Sequence, residues 1–271
     1  MSLKVKDFRA IIEKYAPKEL KEDYDNVGLM VGDPESIITS ILIALDCTFE
    51  VIDEAIERQC NLIFTHHPLL FIKPNSITTE TLQGEKIIKL IKSDINLYSS
   101  HTNLDVAENG LNDLVTRILG YDEWEIIEPY HSKNIHDDSL GIGRLVTLKE
   151  PVFLSEMCNK VKNSLGIKVL RYSGEEEMSI EKVAIINGSG EDYFESAKNM
   201  GAQCIITGDT TYHFVSDFNE QNIAIIDAGH FPTEWAPMKL LADIIKKEII
   251  NLGEDVPIIV SDKSKNPYKY K

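Results

Sequence analysis

Along this chain, stretches of three-and-four apolar spacing alternate with short unbroken apolar runs, the patterns of helices and of buried strands. Val5, Phe8, Ile11, Ile12 and Tyr15 share one helical face, and Pro17 ends that helix. Residues 23–32 are rich in turn formers. The run 37–45 predicts a strand that stops at Asp46. A helix follows, with Thr48 as its N-cap and Val51, Ile52, Ala55 and Ile56 as its apolar face. A strand at 61–65 ends on His66 and His67. A helix over 81–92 leads to a strand at 95–99, which ends on Ser100 and His101, and a helix near 109–119 closes this part.

The same order then returns. A strand at 182–186 ends on Asn187 and Gly188, and a helix at 193–200 follows. A strand at 202–207 ends on Gly208 and Asp209; a helix at 212–219 leads to a strand at 223–227, with Gly229 and His230 beyond it. A last helix is expected over 236–250. Residues 61–67 read Asn-Leu-Ile-Phe-Thr-His-His, and 203–209 read Gln-Cys-Ile-Ile-Thr-Gly-Asp. Any α/β chain alternates strand and helix, but here both halves also place polar residues at matching strand ends. We read a diverged internal duplication. The expected fold class is α/β, with two related lobes and mostly parallel sheets, because strands separated by helices pair in parallel. The lobes are expected at 1–128 and 129–271. Residues 129–139 read as a polar linker, and 141–174 as a small strand-helix-strand insertion.

In such sheets ligands gather beyond the carboxyl ends of the strands. Four of the seven histidines stand there: His66, His67, His101 and His230. Asp105 follows His101 by four residues, and Glu234 follows His230 by the same interval. Each motif alone has a plain reading, as surface histidines, a helix cap or an acid at a helix start. Together they converge. Imidazoles and carboxylates in this mixture suit Zn, Mn, Fe, Co or Ni rather than Mg or Ca. Five or six ligands exceed one tetrahedral site, so a pair of ions is the economical expectation. Asp209 and His213 could support a ligand, while a helix-start aspartate is an equal reading for Asp209. Gly188 to Gly190 lacks the spacing of a dinucleotide or P-loop fingerprint and reads as a tight turn. His131 and His136 fall in the linker and read as solvated.

Charge sharpens this picture. The formal net charge of −16 argues against nucleic acid as a partner and fits cation binding. The four cysteines, Cys47, Cys60, Cys158 and Cys204, form no C-x-x-C pair, so they read as small apolar residues in a reducing compartment. No apolar run approaches the ~20 residues of a membrane helix. No secretory signal pattern opens the chain. A cytoplasmic protein is expected.

Several segments carry a resemblance. They are residues 23–32 (Asp-Tyr-Asp-Asn-Val-Gly-Leu-Met-Val-Gly), 65–68 (Thr-His-His-Pro), 101–105 (His-Thr-Asn-Leu-Asp), 207–209 (Thr-Gly-Asp) and 227–234 (Asp-Ala-Gly-His-Phe-Pro-Thr-Glu). In this order they resemble the signature segments of the Nif-three-like family, also named GTP cyclohydrolase I type 2 homologues. The resemblance implies that His66, His67, Asp105, His230 and Glu234 ligate a dinuclear metal centre faced by two α/β lobes. It also implies a toroidal homohexamer. Where the family usually has Gly-Gly after the aspartate, this chain has Asn109 and Gly110, and Asn tolerates left-handed backbone. Two functions remain open at this point. One is a metal-dependent hydrolase acting on a nucleotide or phosphoester, with His101 moving a proton. The other is a non-catalytic metal-binding protein that regulates or docks a partner.

Overall fold

The computed structural model describes residues 2–132 and 135–271 and is a mixed α/β protein with two sheets. Helix α1 (Val5–Tyr15) buries Val5, Phe8 and Ile12, as its periodicity requires. A strand β1 (Gly28–Val31) follows, then β2 (Ile41–Ala44), α2 (Phe49–Glu57), β3 (Leu62–Thr65), α3 (Leu82–Lys92), β4 (Asn96–Ser99) and α4 (Thr102–Val106). Thr48 caps α2 by accepting from the Val51 N–H at 3.2 Å, and Thr81 caps α3 by accepting from the Gly84 N–H at 3.1 Å. Next come α5 (Leu111–Ile118), the antiparallel pair β5 (Glu125–Ser132) and β6 (Ile135–Phe153), α6 (Leu154–Leu165) and β7 (Arg171–Ser173). The chain then forms β8 (Ser179–Ser189), α7 (Phe194–Asn199), β9 (Cys204–Gly208), α8 (Tyr212–Glu220), β10 (Ala224–Asp227), α9 (His230–Asn251) and β11 (Ile258–Val260). Among the described residues, no helix is long and apolar enough to cross a membrane.

The chain divides into two compact units. The first comprises Met1–Leu104 and Met238–Lys265, the second Asp105–Pro237 and Asn266–Lys271. The expected boundary at 128/129 differs at both ends. Helix α5 packs on β6 and β8, which places it in the second unit. The C-terminal segment belongs to the first, because β11 pairs in parallel with β2. The buried Glu54 carboxylate on α2 accepts from Ser261 Oγ at 2.5 Å and from the Asp262 N–H at 3.0 Å.

In the first unit the sheet order is β1-β4-β3-β2-β11, parallel throughout except for β1, which lies antiparallel on β4. In the second unit the order is β5-β6-β8-β9-β10-β7. Its parallel centre, β8-β9-β10, is flanked by antiparallel β6 on one side and β7 on the other. Each unit therefore contains a βαβαβ run, β2 to β4 in one and β8 to β10 in the other. Each run also has an antiparallel edge strand against its last member. Leu42, Ile63 and Leu97 fill the core of the first unit, and Ile185, Ile206 and Ile226 that of the second.

Three sequence expectations are corrected. Residues 129–132 and 135–139 are not a linker but lie in the β5–β6 pair; His131 lies on β5, and the side chain of His136 lies outside the described residues. The supposed insertion contributes sheet strands: 144–148 falls inside β6, and β7 is the edge partner of β10. The last helix begins at His230 rather than 236. Pro232 is tolerated there because the first-turn N–H groups have no intrahelical acceptor in any case.

Candidate metal centre

In the first unit, the parallel strands β3 and β4 end side by side and release their polar residues together. His66 and His67 follow β3, and His101 lies just beyond β4. The three rings form a triangle with centroids 5.0–5.6 Å apart. One ligand nitrogen from each lies within 4.8 Å of the others. His66 is fully buried, and His67 and His101 are partly exposed.

Each of these rings is pinned through Nδ1. His66 Nδ1 lies 2.9 Å from the Ser100 carbonyl oxygen, His67 Nδ1 2.8 Å from Asp46 Oδ1, and His101 Nδ1 2.9 Å from Asp25 Oδ1. A carbonyl and two carboxylates can only accept, so the proton sits on Nδ1 and the lone pair on Nε2. That is the arrangement in which a supporting acceptor orients an imidazole for metal binding. Asp25 is itself held by Thr102, through the backbone N–H at 3.0 Å and the hydroxyl at 2.6 Å. Burial pushes the Asp25 carboxyl upward, but the hydrogen bonds from His101 and Thr102 outweigh it and hold it well below the usual carboxylate range.

In the second unit, His230 is the first residue of α9 and Glu234 stands one turn later on the same face. His230 Nδ1 lies 2.9 Å from Asp209 Oδ2, repeating the pattern of the first unit. His230 Nε2 lies 3.0 Å from Glu234 Oε2. Two donors that share an ion through bonds of ~2.0–2.2 Å sit about 3 Å apart, so this spacing matches one edge of a coordination polyhedron. Glycines make room for the pair. A Cβ on Gly188 (φ +60°) would fall 2.2 Å from Glu234 Oε1, and one on Gly208 2.5 Å from the His230 backbone nitrogen. Asp105 is buried on α4; its Oδ1 accepts from Asn187 Nδ2 at 2.8 Å and its backbone oxygen from Asn112 Nδ2 at 3.1 Å.

The sequence reading weighs Asp209 evenly between supporting a ligand and starting a helix, and its carboxylate lies against His230 Nδ1. It offers His213 as a second such support; that side chain is exposed on α8 and packs edge-on against Tyr212. It also misses Asp25 and Asp46, whose positions just before β1 and just after β2 were the available signal. The loop at Gly188 is more than a tight turn, since a side chain there would displace Glu234. The cysteines are all buried; burial pushes the Cys158 thiol up to about 11 and the Cys47 thiol up to about 12, so neither supplies a thiolate.

This fold, with histidines and carboxylates at its strand ends, is that of a known group. The chain belongs to the Duf34/NIF3 (NGG1p interacting factor 3) family, whose model matches residues 3–267. It is 53% identical over 271 residues to a protein of Clostridium acetobutylicum named "GTP cyclohydrolase 1 type 2 homolog", with all of both chains covered. A relative of the same name from Clostridium perfringens is 52% identical over 268 residues, covering 99% of this chain and 100% of that one. Among solved structures, the Bacillus cereus protein related to NIF3 superposes with a TM-score of 0.92 at 25% identity over all of both chains. Staphylococcus aureus protein SA1388 gives 0.91 at 28% identity, with 99% of each chain covered.

Proposed function

We propose that His66, His67, Asp105, His230 and Glu234 hold two divalent metal ions, drawn from Zn, Mn, Fe, Co and Ni, and that the protein is a hydrolase of a nucleotide or phosphoester. The observation that carries this reading is the pinning of His66, His67 and His230 through Nδ1, with acceptors at 2.8–2.9 Å. Structural histidines have no common reason to share one tautomer at strand ends; metal ligands do. The relatives' name supports a nucleotide as substrate.

A bound pair of ions would lower the pKa of water toward ~7 and supply a nucleophile at neutral pH. The chain's own groups do the rest. Asp46 and Asp209 keep His67 and His230 in the coordinating tautomer. Glu234 would offer its carboxylate as a ligand beside His230. His101, with its Nδ1 proton on Asp25, presents Nε2 as an acceptor and then a donor of a proton. The exposed apolar side chains of Tyr24, Phe71 and Ile72 favour a second reading, a non-catalytic metal protein that docks a partner.

Elemental analysis after metal reconstitution tests the ligand set. Glu234→Ala should lose most of the metal, and His101→Ala should retain it; equal occupancy in the two variants contradicts these roles. Turnover of GTP and a panel of phosphoesters by the loaded protein, abolished in His101→Ala, supports the hydrolase. Loaded protein without turnover leaves the docking reading standing.

A further inference from the structure

The last residues of β8 point to a device that the ligand list does not contain. Asn187 is buried, with 7% of its surface exposed. Its amide Nδ2 donates to Asp105 Oδ1 at 2.8 Å, and its backbone N–H donates to Asn112 Oδ1 at 3.3 Å. Asn112, fully buried, returns to Asp105 by donating from Nδ2 to its backbone oxygen. Asp105 is thus gripped at both side chain and main chain by two asparagines that also hold each other. The orientation of the Asn187 amide follows from chemistry, since turning it over would set a carbonyl oxygen against the Asp105 carboxylate.

This arrangement has a cost that identifies its purpose. The Asn187 Oδ1 atom is buried and has no hydrogen-bond partner among the described residues. A buried acceptor without a donor is destabilising, and a leucine of similar size would avoid it. An amide is retained here for its N–H. The next residue, Gly188, is the one whose missing Cβ admits Glu234, so the end of β8 addresses both carboxylates of the second unit's donor set.

We infer that Asn187 is a positioning residue: it occupies Oδ1 of Asp105 so that the carboxylate meets an ion through Oδ2 alone, as a one-oxygen ligand. This rests on the metal-binding reading above. A free carboxylate can rotate to chelate one ion with both oxygens; a donor on one oxygen opposes that rotation.

Titration of the metal-free full-length protein with Co²⁺, followed by its visible absorption, tests the inference. Wild type should bind Co²⁺ with a defined band. Asn187→Leu should bind about ten- to a hundredfold more weakly. Its band should be less intense, as the second Asp105 oxygen joins the coordination sphere. Asn187→Ser leaves space for a water that can donate to Asp105 and should fall between the two. It also carries the test if the leucine variant does not fold. Melting of the metal-free variants reads any purely structural role of Asn187 separately from the spectrum. Wild-type affinity and spectrum in Asn187→Leu, or in Asn187→Ser if only that variant folds, overturns the inference. So does a loss of metal-free stability with no spectral change. Absence of Co²⁺ binding by wild type is a different result, since it removes the metal-binding reading itself.

Discussion

The two βαβαβ runs are built alike and furnished differently. In the first unit the strand ends of β3 and β4 supply three imidazoles. In the second, the His230 imidazole is joined by the Glu234 carboxylate, and Asn187 holds the carboxylate of Asp105. The supports differ accordingly. Imidazoles need an acceptor to fix a tautomer, and they find Ser100, Asp46 and Asp25. Carboxylates need donors and space, and they find Asn187 and the bare backbone of Gly188. One scaffold accommodates either chemistry because the side chains at and just beyond its strand ends can differ while the strands themselves stay alike.

The largest expected effect breaks the comparison at its most crowded point. Gly188→Ala should cost the second unit its Glu234 geometry, because the new Cβ would lie 2.2 Å from Oε1 at a φ of +60°. Metal affinity should fall by about a hundredfold or more, judged against the usual cost of losing a supporting partner. Stability of the metal-free protein should fall by about 1–2 kcal/mol from the left-handed backbone alone. Isothermal titration and urea melts read the two effects separately; wild-type affinity in this variant would show that Glu234 is not a ligand.

A smaller effect compares the units directly. Asp46→Ala and Asp209→Ala remove matching supports from His67 and His230, and each should weaken metal binding by about tenfold, the low end of the usual range, because both carboxylates are half-exposed and water can replace them. His66 has no such side-chain dependence, since a backbone carbonyl holds it. If the Asp209 variant binds as wild type does while the Asp46 variant does not, the two imidazoles are not equivalent.

The smallest effect concerns Asp25, which only the first unit has. Its folded carboxyl is held below the usual range, so its contribution to stability is present above the ordinary carboxylate pKa of about 4 and is lost as pH falls below that value. Asp25→Asn should therefore be less stable than wild type by about 1 kcal/mol at neutral pH. The gap should close progressively in acid, and a gap that stays constant from pH 7 to pH 2 would contradict this account.

Strand ends were legible because the strands are short, largely apolar runs closed by polar residues: 61–65, 95–99, 202–207 and 223–227 each lie close to an observed strand. The histidines beyond them could be singled out on that basis. What escaped the sequence depends on partners distant along the chain or on backbone geometry. Strand β1 opens on Gly28 at φ +112° and lies among turn formers, so its pairing with β4 has no local signature. Residues 129–132 and 135–139 are mostly polar, so their composition reads as a linker although they pair as strands. Gly188 owes its role to Glu234, 46 positions later, and Asn187 owes its role to Asp105, 82 positions earlier. A glycine or an asparagine after a strand looks the same with or without such a neighbour.

The return of β11 to β2 has a consequence for the order in which the protein is made. Leu45 donates its backbone N–H to Ser264, across 219 positions of sequence. Every residue of the second unit up to Pro237 leaves the ribosome before that segment does. At about 5–20 residues per second, the nascent first unit waits roughly ten seconds or more with the outer edge of β2 unpaired. The unit translated first is thus the one whose sheet closes last, and its open edge is exposed to mispairing during synthesis.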